Sequence, residues 1–250
     1  VIRLLAITPP ARLAPAGAPE LGAVIVDAWL EAGAGELGLA VLLREPGAPP
    51  EQILADVRLM PLRQALAERG VPALVSVDPR STSPEQGARL LEEATPRVAG
   101  VQLRGDPSIE TCDRWRARLG PELTIGRSIH GRPPEELPTP GRGRVDYGCL
   151  APIFAPNTRL PGDDKRPIGL DGLRRWTRVR GDILALGGIT AANADACLAA
   201  GARGVAGIRL FFGRSEEARQ DVRALCRVIA ARNPAGAGED HGTTHARGRG

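Results

Sequence analysis

Lysine is nearly missing from this sequence. Of 33 basic residues only Lys165 is a lysine, so positive charge rests on arginine, which stays charged at any ordinary pH. Aromatic residues make up 3% of the chain, and the formal net charge is only +4, with the basic residues scattered. Without stacking platforms or a basic stripe, nothing marks a nucleic-acid binder. The four cysteines, Cys112, Cys149, Cys197 and Cys226, form no C-x-x-C pair. That argues against zinc or disulfide chemistry and fits a reducing, cytoplasmic compartment. No apolar run approaches the ~18 residues of a membrane span. The opening IRLLAIT is too short for a signal peptide and reads as a strand. Histidine is also scarce: besides His130 there are only His241 and His245, both in a polar, Gly-rich stretch after Arg232. Disorder is the expectation for that tail, residues 232–250, leaving 1–231 as the folded domain.

What is present is a long alternation of short apolar runs and helix-length segments. It is clearest from Asp182 to Leu210. DILAL reads as a buried strand, Gly187-Gly188 as a tight turn, Ala191 to Ala200 as a helix and GVAGI as another buried strand. Thr190 is placed to cap that helix. A glycine turn opening into a helix presents unpaired N–H groups and a positive dipole end, which suits an anion. Earlier strands are expected at Ile2–Thr8, Glu36–Arg44, Pro72–Asp78, Val98–Arg104, Leu123–His130 and Val145–Pro152. Helices are expected near Pro19–Ala32, Glu51–Arg69, Ser83–Ala94, Ser108–Leu119, Leu170–Arg178 and Ser215–Ala231. Residues 131–144 hold too much proline and glycine for a long helix. Eight strands alternating with helices over about 250 residues predict one closed (β/α)8 TIM barrel of the phosphate-binding type.

Active sites of such barrels lie at the C-terminal ends of the strands. In the fifth strand, period-two alternation puts Thr124, Gly126, Ser128 and His130 on one face, and Leu123, Ile125 and Ile129 on the other. The apolar set suits the helix layer, so His130 falls at the rim of the mouth, where an imidazole can shuttle a proton near neutral pH. The second strand ends in Arg44, and the fourth carries Gln102 and Arg104 on one face. A guanidinium there suits a phosphate or a carboxylate. Arg209 follows the eighth strand beside the anion turn. Asp78 and Asp106 end or follow the third and fourth strands and could share a Mg²⁺ ion. Each of these residues also has a plain reading, as a rim histidine, a surface arginine or a helix-capping carboxylate.

LALGGIT with AGARGVAGI, DYGCLAPIFAPNTR with PIGLDGLR, and IGRSIHG occur in an order and spacing that resemble the thiamine phosphate synthase/TenI superfamily, over roughly residues 2–230. The resemblance implies a thiazole phosphate as small-molecule ligand. Its phosphate would be held by Gly187, Gly188 and the backbone near Gly207 and Ile208. It also suggests pairing of barrels into a homo-oligomer. Synthases, which join a pyrimidine diphosphate to the thiazole phosphate with Mg²⁺, resemble Q-x-R-x-K after the second strand and Asn-Asp after the third. Here those positions read Leu42, Arg44, Pro46 and Val77-Asp78, and Arg159 stands where a lysine follows the sixth strand. The TenI-type branch moves one proton to aromatise a thiazole carboxylate phosphate tautomer and implies no cofactor. GRSIHG and Gln102 resemble that branch, with His130 as its catalytic histidine, Arg44 at the carboxylate, and Gln102 and Ser128 lining the substrate site. The expectation is therefore a thiazole tautomerase. A divergent synthase is the enzymatic alternative, and a non-catalytic thiazole or thiamine phosphate sensor is the other.

Overall fold

Eight parallel strands pair each with the next, and the eighth pairs back onto the first, closing a barrel. A computed structural model describes residues 1–11, 22–130, 145–155, 166–212 and 215–232. The strands are β1 (Leu4–Ile7), β2 (Leu39–Leu43), β3 (Ala73–Val77), β4 (Gly100–Leu103), β5 (Thr124–His130), β6 (Tyr147–Ala151), β7 (Ile183–Ala185) and β8 (Gly204–Gly207). The helices are α1 (Ala23–Glu31), α2 (Pro50–Ala55), α3 (Met60–Glu68), α4 (Pro84–Glu93), α5 (Ile109–Leu119), α6 (Gly169–Val179), α7 (Ala191–Ala199) and α8 (Ser215–Ala231). The tail from 233 onward and the segment 131–144 lie outside the described residues.

The strands are short and apolar because both their faces are covered. Leu5, Ile7, Ala40, Leu42, Leu74, Tyr147, Cys149, Leu184 and Ala206 fill the lumen as one cluster. Their neighbours Leu4, Ala6, Val41, Leu43, Val75, Val101 and Ile125 pack against the helix layer. Alternation therefore carries the inward set upward to Arg44, Asp78, Arg104 and His130 at the strand ends. Gly126 leaves room for a neighbour: a Cβ there would lie 2.3 Å from the Tyr147 ring, which crosses the lumen at that level.

Two expectations change. The single helix foreseen over 51–69 is two, α2 and α3, and the break is chemical. Pro61, in the first turn of α3, has no N–H to continue a helix and would clash with the preceding turn. Asp56 closes the gap by accepting from the Arg58 N–H (2.9 Å) and guanidinium. Arg44 also lies just past β2, with its backbone clasped to Thr8: Arg44 N–H donates to Thr8 Oγ1 (2.8 Å), which donates to Arg44 O (3.1 Å).

Candidate functional site

His130 closes β5 at the mouth, its side chain 28% exposed. Asp106, from the turn after β4, meets it twice. His130 N–H donates to Asp106 Oδ1 (2.7 Å), and ring Nδ1 lies 3.0 Å from Asp106 Oδ2. One turn lower on the inward face, Gln102 Nε2 donates to Ser128 Oγ (3.3 Å). Gln102 Oε1 and Tyr147 Oη are buried without a hydrogen-bond partner. Burial raises the Tyr147 phenol well above its ordinary range, so it stays protonated.

The two carboxylates expected to share a metal ion each have another partner. Asp78 receives the Arg80 guanidinium on both oxygens (2.9 and 2.7 Å) and the Arg80 N–H (3.0 Å), with Arg104 at 3.8 Å. Those bonds, the Arg80 side chain foremost, hold the Asp78 carboxyl down to about 2. Both oxygens of Asp106 are given to His130. Among the described residues no group of three or more histidine, cysteine, aspartate and glutamate side chains is placed to hold a metal ion. In this arrangement Asp78 is paired with guanidinium groups and Asp106 with the His130 imidazole. Arg104 also donates to Ala48 O (3.2 Å), which ties the β2 and β4 loops together.

Across the mouth, the β7–α7 turn is built from backbone. Gly187 and Gly188 have φ of 95° and 63°, a region natural to glycine. Packing excludes a side chain at both positions. A Cβ on Gly187 would meet Pro152 at 2.7 Å, and one on Gly188 would meet Phe154 at 2.7 Å and Ala155 O at 2.8 Å. The vacant space is filled by the segment after β6, not kept open for a ligand. That packing aims the turn. Leu186 O and Gly187 O accept from Ile153 and Phe154 N–H (2.9 and 3.0 Å), and Gly188 O accepts from Asn193 Nδ2 (2.9 Å). In a trans peptide the N–H points opposite to the C=O, so the N–H groups of Gly187, Gly188 and Ile189 turn away from those partners. Among the described residues they donate to no acceptor. Thr190 and Asn193 complete a capping box at the start of α7, as expected for Thr190. The result is a set of unpaired donors at a helix N-terminus, suited to an oxyanion.

β8 supplies the adjoining edge. Gly207 pairs with Ala6 of β1. Ile208 O accepts from Phe211 and Phe212 N–H (3.1 and 2.9 Å), forming a tight turn. Trp29 of α1 locks that turn from behind: its indole N–H donates to Phe211 O (3.2 Å), and its ring meets Phe211 and Phe212 edge-on at 6.0 and 5.1 Å. Arg209 is exposed. All four cysteines are buried and unpaired. Burial raises Cys149 to about 12 and Cys197 and Cys226 to about 11, so none of these three is a ready nucleophile.

Sequence reasoning missed three features here: the Asp106–His130 pair, Arg80 and the Trp29 lock. Only Arg80 left a trace, two residues beyond Asp78. The other two depend on which loops the closed barrel makes adjacent.

Residues 25–211 match the family model described as thiamine monophosphate synthase. The chain is 31% identical to a thiamine-phosphate synthase of Roseiflexus castenholzii, over 83% of this chain and 81% of the relative. It is 29% identical to that of Gloeobacter violaceus over 72% of this chain, and there it spans only 47% of the relative. Thiamine phosphate pyrophosphorylase from Pyrococcus furiosus superposes with a TM-score of 0.62 at 25% identity, covering 92% of this chain and 96% of that one.

Proposed function

The chain belongs to the thiamine monophosphate synthase family, and we propose that it acts on a thiazole phosphate by moving a proton, as a thiazole tautomerase. The N–H groups of Gly187, Gly188 and Ile189, with the backbone near Gly207 and Ile208, grip the phosphate. Arg44 holds the ring carboxylate, and Gln102 and Ser128 lie beneath the ring. His130 takes a proton from one ring position and returns it to another, so the reaction needs no cofactor. The observation that carries this reading is an imidazole at the top of the inward face, backed by a carboxylate, while the other rim carboxylate is neutralised by arginine.

The test is His130→Asn. Aromatisation of the thiazole carboxylate phosphate tautomer, followed by absorbance, should fall about 10²–10⁴-fold, with product affinity unchanged. If wild type and variant both bind and neither accelerates the reaction, the barrel is a binder and the tautomerase reading fails.

The second reading is the synthase, joining hydroxymethylpyrimidine diphosphate to thiazole phosphate with Mg²⁺. The comparisons back it more directly than the first, since the relatives named above are synthases or pyrophosphorylases. Asp78, Asp106 and the rim arginines are the residues that would serve it. Release of pyrophosphate from the two substrates and Mg²⁺, at a rate matching turnover, would decide for it. Either way the ligand is a small phosphate ester. Among the described residues no helix is long and apolar enough to cross a membrane.

A further inference from the structure

We propose that Asp106 is the positioning residue that fixes the tautomer and orientation of the His130 ring, making Nε2 the atom that takes the substrate proton. This deepens the proton-transfer reading and rests on it.

The argument starts in the backbone. Gly105 and Asp106 are successive left-handed residues, φ 79° and 54°. Asp106 is the one residue other than glycine with positive φ among those described. Glycine adopts that region freely, and aspartate is among the few side chains that tolerate it. Placed immediately after β4, the double reversal turns the Asp106 carboxylate toward the end of the neighbouring strand. There it makes two different bonds to one residue. Oδ1 accepts the backbone N–H of His130 (2.7 Å), which fixes the carboxylate relative to the end of β5. Oδ2 faces ring Nδ1 at 3.0 Å, which fixes the ring relative to the carboxylate. A carboxylate bound only to the ring would leave both free to swing.

The chemistry follows from the donor inventory. An ionised carboxylate can only accept, so the nitrogen facing it carries the hydrogen, and in the neutral ring Nε2 is left with the lone pair. Nε2 takes a proton from the ring carbon of the ligand, the carboxylate stabilises the imidazolium, and the same proton returns elsewhere on the same molecule. No electrons are gained or lost.

The test reads the tautomer directly. The full chain is labelled with ¹⁵N-histidine, and its ring signals are recorded by long-range ¹H–¹⁵N correlation at a pH where the imidazole is neutral. His130→Asn identifies the His130 signals among the three histidines. The wild-type ring should be in the Nδ1–H form. Asp106→Asn keeps a side chain that tolerates the left-handed backbone and offers an amide donor to Nδ1. It should shift the ring toward Nε2–H and lower kcat about 10²-fold, with KM within about twofold and an unchanged fold by circular dichroism. A wild-type ring mainly in the Nε2–H form overturns the proposal on its own, whatever the variant does. So does an Asp106→Asn protein whose tautomer and kcat match wild type. If the tautomer responds as expected but the wild type turns over no thiazole substrate, the tautomerase reading fails while the hold of Asp106 on the ring stands.

Discussion

The two sides of the barrel mouth are built from different materials. On the β3–β5 side, the rim rests on side chains: Asp78 with Arg80 and Arg104, and Asp106 with His130. On the β7–β8 side it rests on backbone: N–H groups aimed by glycine geometry and by carbonyls already committed to the segment after β6. The difference shows in how each side can change. Exchanging one side chain can turn a metal-binding rim into an acid–base rim without moving the chain. The backbone side has no such freedom, because its donors are set by conformation and neighbours. In this chain the glycine turn is present, while Leu42, Pro46 and Val77 stand where the resemblance to synthases implies glutamine, lysine and asparagine.

Gly188→Ala breaks the comparison most sharply. The new methyl would sit 2.7 Å from Phe154 on a backbone with φ 63°, which should cost about 3 kcal/mol or more. Urea denaturation should show that loss, and phosphate-ester affinity should fall at least about tenfold. A variant that folds and binds normally would show that the turn is not conformationally set.

A smaller effect, of opposite sign, is expected on the lumen floor between the two sides. Tyr147→Phe removes a buried hydroxyl that has no partner, which should stabilise the fold by about 1 kcal/mol and raise Tm by roughly 2–4 °C. Weaker binding of thiazole phosphate in this variant would instead place the hydroxyl in the site.

The smallest effect is at the Asp78–Arg80 pair. Its carboxyl, held down to about 2, lies below the unfolded value near ~3.9. Such a group stabilises the fold fully above the unfolded value and loses that contribution as pH falls from about 4 toward 2. Arg80 is 76% exposed, so screening limits the effect to about 0.5 kcal/mol. Asp78→Asn should lose that much at neutral pH and converge with wild type near pH 2. Equal stability of the two proteins at neutral pH would show that the rim pair contributes nothing.

Much of this was legible from the chain alone. Alternation in LTIGRSIH put His130 on the inward face because a strand's side chains must alternate, whatever packs around it. The spacing of Gly187, Gly188 and Thr190 located the α7 N-terminus because turn and cap are local events. The break near Pro61 was also readable, since proline cannot sit inside a continuous helix, yet the apolar period across 51–69 hid it. Asp106 was legible as a carboxylate after a strand, but its partner was not. A metal ion and an imidazole ask the same thing of a carboxylate, and only the turn direction chooses between them.

The order of strands, their inward faces and the glycine turn were thus determined by sequence, through rules that act within a few residues. Tertiary structure decided what the loops after β3, β4 and β6 touch: Asp78 saturated by arginine, Asp106 on His130, and the glycines pressed against Pro152 and Phe154. Those contacts join residues far apart in the chain, and local propensity carries no record of which strand ends a closed barrel will make neighbours.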